Sequence, residues 1–226
     1  MTQIPVVRHV LDVNDQEAAA NLARLNSLGI TAVNLMASPG AGKTTLILAT
    51  AAALAGRLRV AVIEGDLATR IDADRVAAAG LPVVQINTDG GCHLDAAMVR
   101  SALDQLPLHA IDLLLIENVG NLVCPANFAL GVHANVVVAS VPEGDDKPYK
   151  YPGIYARAQG VVLNKADLVE MLEFDTVAFA RGVALVNPTV PIWQVSARTG
   201  AGLAAWAGWL EALAQAQRGK RVATSH

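Results

Sequence analysis

Short aliphatic runs recur along the chain without polar residues alternating between them: "AVNLMA" (32–37), "RVAVIEG" (59–65), "PVVQIN" (82–87), "LLLIEN" (113–118), "NVVVASV" (135–141), "GVVLNK" (160–165) and "PIWQVSA" (191–197). Each is about one strand long. Continuous apolar runs of that length belong to strands covered on both faces. Alanine-rich segments with helical character lie between most of them, over 44–56, 70–80, 94–106, 166–182 and 200–217. Strand and helix in this alternation predict a mostly parallel central sheet with helices on both faces, a three-layer α/β/α fold. Residues 12–29 predict an additional N-terminal helix stopped by Gly29, and the polar stretch 218–226 predicts a frayed end. With no repeat or linker between these elements, residues 1–226 read as one domain.

Composition supports this picture and narrows the functional classes. The chain is 53% hydrophobic and 16% charged, enough apolar material for a core. A net charge of −3 gives no surface built to neutralise nucleic-acid phosphates or anionic lipid. The longest apolar stretch (128–141) is broken by His and Asn and is too short to span a bilayer. No basic leader followed by an apolar run opens the chain, and two cysteines are too few for a disulfide framework. The expectation is a soluble, cytoplasmic protein with no membrane or nucleic-acid partner.

"ASPGAGKTT" (37–45) follows one expected strand and opens a helix. It matches the phosphate-binding pattern G-x-x-x-x-G-K-[ST] except at its first position, where Ala37 stands for glycine. Gly40 and Gly42 let the backbone curl so that successive N–H groups face an anion, and the helix start adds its positive end. Ser38, Pro39, Gly40, Ala41, Gly42, Lys43, Thr44 and Thr45 therefore form the candidate nucleotide loop, with Lys43 reaching the β- and γ-phosphates and the Thr44 hydroxyl on Mg²⁺.

"NKAD" (164–167) ends a later strand. The Asp167 carboxylate can accept two hydrogen bonds from guanine N1–H and its exocyclic amine, a pair adenine does not offer. Asn164 can contact the base edge, and the stem of Lys165 can cover the ring. A turn at Ser196–Ala197, in "SARTGAG", can hold the guanine oxygen through backbone N–H groups. These features favour GTP over ATP and argue against a kinase. Asp66 and Glu117 stand at the carboxyl ends of two strands, where ligands gather in parallel sheets, and can hold Mg²⁺ together with Thr44. Asp66 also fits a helix N-cap, and Asp72 is a weaker metal candidate. Gly120 can offer its N–H to a γ-phosphate.

The only two cysteines, in "GGCHLD" and "ENVGNLVCPAN", fall on loops leaving the nucleotide end of the expected sheet. Cys92 follows two glycines, so its backbone is expected to be exposed and strained. Cys92, His93 and Cys124 offer two thiolates and an imidazole, which suit Zn²⁺ or Ni²⁺, with water or a second copy of the chain completing the site. Because Cys124 lies four residues beyond Gly120, nucleotide state and metal affinity would be linked, and linkage is reciprocal.

"NLMASPGAGKTTL", "IEGDLATRIDADR", "GCHLDAAMV", "IENVGNLVCPA", "SVPEGDDKPYKYP" and "VVLNKADL" resemble the hydrogenase nickel-incorporation GTPases, HypB, over about residues 12–215. The resemblance implies a P-loop GTPase that delivers nickel to the [NiFe] hydrogenase large subunit. It further implies a Cys92–His93–Cys124 site for Zn²⁺ or Ni²⁺ at a dimer interface, and a metallochaperone partner of the HypA type. Leu168 and Leu172, four apart on the expected helix after "NKAD", match the family's apolar dimer contact. The chain lacks the N-terminal Cys-rich motif and the His-rich store of some members: its first cysteine is Cys92 and its only early histidine is His9. Two alternatives remain, a urease-type nickel-insertion GTPase and a regulatory GTP-binding switch without a metal role.

Overall fold

The computed structural model describes residues 6–66 and 70–223. In chain order the elements are α1 (Val6–Leu28), β1 (Thr31–Met36), α2 (Lys43–Ala53), β2 (Val60–Asp66), α3 (Ile71–Ala78), β3 (Val83–Asn87), α4 (Ala96–Leu103), β4 (Leu113–Glu117), β5 (Ala134–Ser140), α5 (Lys147–Lys150), α6 (Pro152–Ala156), β6 (Gly160–Asn164), α7 (Thr176–Val186), β7 (Ile192–Gln194) and α8 (Leu203–Ala223). The seven strands form one sheet in the order β3-β2-β4-β1-β5-β6-β7, and every pairing is parallel. All seven expected strands are present.

Alternate residues of the central strands feed opposite faces, as strand geometry requires. Val33, Leu35, Val136 and Val138 meet α2 and α8, where Trp206 Nε1–H donates to Thr50 Oγ1 at 2.9 Å. On the other face Ala32, Ile63 and Ile116 meet α1 and α4, and Val137, Ala139 and Val161 meet α6 and α7. The result is the three-layer arrangement expected from the alternation. Parallel strands all deliver their following loops to one end, so the segments after β1, β2, β3, β4 and β6 share a rim.

Three expectations change. The N-terminal helix begins at Val6 and ends before Gly29, whose φ of 71° stops it in the left-handed region. Helix α8 continues to Ala223, so 218–223 are helical; 224–226 lie outside the described residues. The helix expected over 166–182 is instead a 3₁₀ turn at Ala166–Leu168 and a separate α7. Lys165 (φ 57°) and Glu173 (φ 50°) adopt left-handed backbone, and the Asp175 side chain caps α7 by accepting from Val177 and Ala178 N–H. Leu168 and Leu172 thus sit on turns, with Leu168 half-buried and Leu172 48% exposed.

Candidate functional site

The loop between β1 and α2 curls as its glycines require. Gly40 and Gly42 have φ of 77° and 89°, and Ala37 is buried where the pattern has glycine, without disturbing the turn. A Cβ at Gly42 would stand 2.8 Å from Asn164 Nδ2, so both backbone sign and space exclude a side chain there. Asn164 Nδ2 donates to Ala41 O at 3.0 Å, and Lys165 Nζ donates to Gly40 O at 2.7 Å. Beside this loop opens a cavity of about 480 Å³, lined among others by Lys43, Thr44, Glu64, Asp66, Glu117 and Gly120.

At its floor, Thr44 Oγ1–H donates to Glu117 Oε1 at 3.1 Å and Lys43 Nζ lies 3.8 Å from the same oxygen. Glu117 Cα is paired in register with Glu64 on β2, and both side chains are buried, at 5% and 3% exposure. Burial, then the neighbouring Glu117 carboxylate, pushes the Glu64 carboxyl up to about 10, and burial raises Glu117 as well. Glu64 Oε2 and Glu117 Oε2 are buried without a hydrogen-bond partner. Orphaned buried carboxylate oxygens beside a hydroxyl and a phosphate loop fit a hard divalent cation with oxygen ligands. Asp66 lines the same cavity; Arg70, not Asp66, holds the N-cap position of α3. Residues 67–69, within the same stretch, lie outside the described residues.

The base-side residues are placed unevenly. Asp167 is exposed, with its carboxyl held below the usual range by a hydrogen bond from Ser196. Asn164 is turned inward rather than toward a base: its Nδ2 serves the phosphate loop and its Oδ1 accepts from Ala197 N–H at 3.3 Å. Ser196 N–H is already donated to Ala201 O, so both amides of that turn have partners within the chain.

The cysteines and the histidine do converge. One ligand atom from each of Cys92, His93 and Cys124 lies within 4.8 Å of the others, and Cys92 Sγ is 3.5 Å from His93 Nδ1. Cys92 comes from the loop after β3, and Cys124 opens a 3₁₀ turn after β4. The His93 ring stacks on Phe128, with centroids 3.8 Å apart, and its burial lowers the imidazole pKa. Hydrogen bonding with Cys124, then burial, raises the Cys92 thiol. The left-handed strain in this loop falls on Asp89 (φ 48°) and Gly90 (φ 92°) rather than on Cys92 itself. Two sulfurs and a neutral imidazole within this span suit a soft or borderline ion such as Ni²⁺ or Zn²⁺.

The family model described as CobW/HypB/UreG, nucleotide-binding domain, matches residues 31–194. The chain belongs to this family, among the hydrogenase maturation factors called HypB. It is 47% identical to the hydrogenase maturation factor HypB of Azotobacter chroococcum over 97% of this chain and 70% of that protein. It is 48% identical to the factor of the same name from Escherichia coli K12, over 89% of this chain and 70% of the relative. A crystal structure of HypB from Helicobacter pylori in complex with nickel superposes with a TM-score of 0.87 at 38% identity, covering 91% of this chain and 96% of that one.

Sequence reasoning missed three residues of this HypB-family site. Glu64 drew no reading of its own beyond its place in the run 59–65; its signal is an acid directly after a run of aliphatics and two residues before a strand-end acid. Arg75, paired with Asp72 at 2.9 Å, lines the nucleotide cavity from α3. Asn118 lines it from the end of β4.

Proposed function

We propose that the chain is a GTP-hydrolysing nickel-delivery factor for [NiFe] hydrogenase maturation, whose metal affinity at Cys92, His93 and Cys124 depends on the bound nucleotide. The observation that carries this reading is the convergence of both cysteines and His93 on loops that leave the sheet at the nucleotide end. Family membership and the nickel complex of the Helicobacter pylori relative support it.

Within this reading the loop from Ser38 to Thr45 wraps the phosphates with the backbone N–H groups of its residues other than Pro39, and Lys43 neutralises the β- and γ-phosphates. Thr44, Glu117 and Asp66 would hold Mg²⁺, with Glu64 sharing the carboxylate load, and the bound ion would supply charge neutralisation at the terminal phosphoryl group. Gly120 N–H faces the γ-phosphate, and Asp167 selects guanine. Lys165 and Asn164 fix the phosphate loop against the base side. Nickel is the cargo, taken up by the thiolates and the imidazole and passed on after hydrolysis. Zinc fits the same donors. A homodimer would double the ligand set and bring Leu168 and Leu172 together, since Leu172 and its neighbour Met171 are exposed apolar residues. A HypA-type metallochaperone and the hydrogenase large subunit are the partners of this role, and the cytoplasm its place. Among the described residues no helix is long and apolar enough to cross a membrane.

Metal content and particle mass, measured with GDP and with a non-hydrolysable GTP analogue, test this reading. It expects metal stoichiometry to require Cys92 and Cys124, and affinity to differ between the nucleotides. Equal affinities, or full binding by a Cys92→Ala, Cys124→Ala double variant, would leave a GTP-binding switch without a metal role. A second reading, service to urease as well, is favoured by the 40% identical Helicobacter pylori relative called hydrogenase/urease maturation factor HypB.

A further inference from the structure

Two asparagines on the segment leaving β4 reach across to the loop that carries Cys92 and His93. Asn118 is 1% exposed, and its Oδ1 accepts from Leu94 N–H at 3.1 Å and from Val119 N–H at 2.9 Å. Its Nδ2 donates to Asn34 Oδ1 at 3.1 Å, and Asn34 Nδ2 in turn donates to Asn135 Oδ1 at 2.9 Å. This row of amides crosses β4, β1 and β5, so the Asn118 side chain is anchored in the middle of the sheet. Three residues on, Asn121 Oδ1 accepts from Val123 N–H at 2.8 Å while its Nδ2 donates to Cys92 O at 3.3 Å. The two contacts bracket His93, one on the carbonyl of Cys92 just before it and one on the amide of Leu94 just after it.

Between these asparagines lies Gly120, packed against the phosphate loop: a Cβ there would stand 2.9 Å from Pro39 Cγ and 3.0 Å from Pro39 N. Asn118 and Gly120 both line the nucleotide cavity, whereas Asn121 does not. A shift of Gly120 toward or away from a terminal phosphate therefore moves Asn121 relative to Asn118, which is held by the sheet. The backbone from Cys92 to Leu94 is tied at one end to the moving residue and at the other to the fixed one.

We propose that Asn118 and Asn121 are positioning residues that carry nucleotide state to the metal-ligand loop, with Asn118 as the fixed support and Asn121 as the moving link. The proposal rests on the reading that nucleotide and metal binding are coupled at this site. It adds the route: two neutral amides acting on the backbone around the ligands, with no charged group between the sites. The physical warrant is a segment with two ends of unequal rigidity, which a ligand at one end can bias.

Asn121→Ser separates the link from local structure. Serine keeps a hydroxyl that can cap Val123 N–H but is too short to reach Cys92 O. Asn121→Asp is the companion variant, which keeps the acceptor and loses the donor. Ni²⁺ affinity is measured by competition with a chromophoric chelator in the GDP and GTP-analogue states. Coupling of ordinary size gives the unaltered chain a ratio of about fivefold or more between the states, and both variants should bring it to within about twofold of unity. Nucleotide affinity and metal-free hydrolysis should stay unchanged.

Amide hydrogen exchange on metal-free protein gives a readout independent of loading. Exchange over residues 92–94 should differ between the two nucleotide states in the unaltered chain and not in Asn121→Ser. A variant that keeps the original affinity ratio overturns the proposal, as does exchange over 92–94 that ignores nucleotide while metal affinity responds to it. Equal Ni²⁺ affinities in the unaltered chain overturn the coupled-site reading and the proposal together.

Discussion

Gly120→Ala tests whether the segment after β4 senses the terminal phosphate. Gly120 has an ordinary negative-φ backbone, so alanine there meets no conformational penalty of the left-handed kind. The conflict is one of space. The added methyl would lie 2.9 Å from Pro39 Cγ, 3.0 Å from Pro39 N and 3.1 Å from Pro39 Cα, against about 3.5–4.0 Å for relaxed carbon contacts. Two of those neighbours are backbone atoms of the phosphate loop, which cannot swing away as a long side chain would. Relief requires Gly120 and the phosphate loop to part by about half to one ångström. A hydrogen bond to a charged group, worth about 1.5–3 kcal/mol, does not survive such a shift intact. Affinity for a GTP analogue should therefore fall roughly 10- to 150-fold, since about 1.4 kcal/mol is a factor of ten. GDP lacks the γ-phosphate, and its affinity should fall by much less. Titration with fluorescent analogues of the two nucleotides gives both constants, and thermal unfolding checks the fold. Equal losses for the two nucleotides, or no loss for either, would refute the reasoning.

Other expectations follow from single contacts. Asp167→Asn exchanges a carboxylate acceptor for an amide that can donate to the 2-oxygen of xanthine, so preference should move from GTP toward xanthosine triphosphate; competition binding reads the reversal. Metal binding at Cys92 requires its thiolate, and that thiol titrates above its ordinary value of 9.0. Affinity for Ni²⁺ should accordingly rise by about a decade or more per unit between pH 7 and 8, in a titration that also counts released protons. The His93 imidazole, lowered from 6.5, is already neutral there and adds no slope. Arg59, then Arg218, holds the Asp112 carboxyl down at about 2 from its ordinary 3.8. A depressed acid contributes stability that is complete above its unfolded value and is lost as pH falls through the folded one, so Asp112→Asn should flatten the stability curve between about pH 4 and 2. Denaturant midpoints across that window measure it.

The strands were legible because burial on both faces leaves a run with no alternation, and every such run became a strand. The stretch 166–182 was not legible as two pieces. Its aliphatics keep a helical spacing across "DLVEMLEFDTVAFA", and the break depends on left-handed backbone at Lys165 and Glu173, which composition does not reveal. The cap at Asp175 was readable in principle, since aspartate before an apolar run is a start signal. Glu64 was missed for a different reason. Its meaning comes from the register that sets it beside Glu117, and register is a property of two strands, not of one. Asn164 was identified by its motif, but its side chain is committed to the phosphate loop through partners more than a hundred residues away.

Strand order places the proposed metal ligands beside the candidate nucleotide site. Cys92 follows β3 and Cys124 follows β4, and only β2 lies between those strands in the sheet. The phosphate loop follows β1, which is β4's other neighbour. The segment leaving β4 is therefore adjacent to both sites, and any residue on it that contacts one loop is within a few residues of contacting the other. Lysine at positions 118 and 121 could only donate and aspartate could only accept, so neither would make both kinds of contact, and each would add a full charge. Beside Lys43, Glu64 and Glu117, and beside a site that gathers thiolates, such a charge would shift ligand protonation whatever the nucleotide. Asparagine offers both a donor group and an acceptor group at fixed angles and no net charge. Movement at one site can then reach the other as geometry, while the metal-binding strength of the sulfurs stays set by their own surroundings.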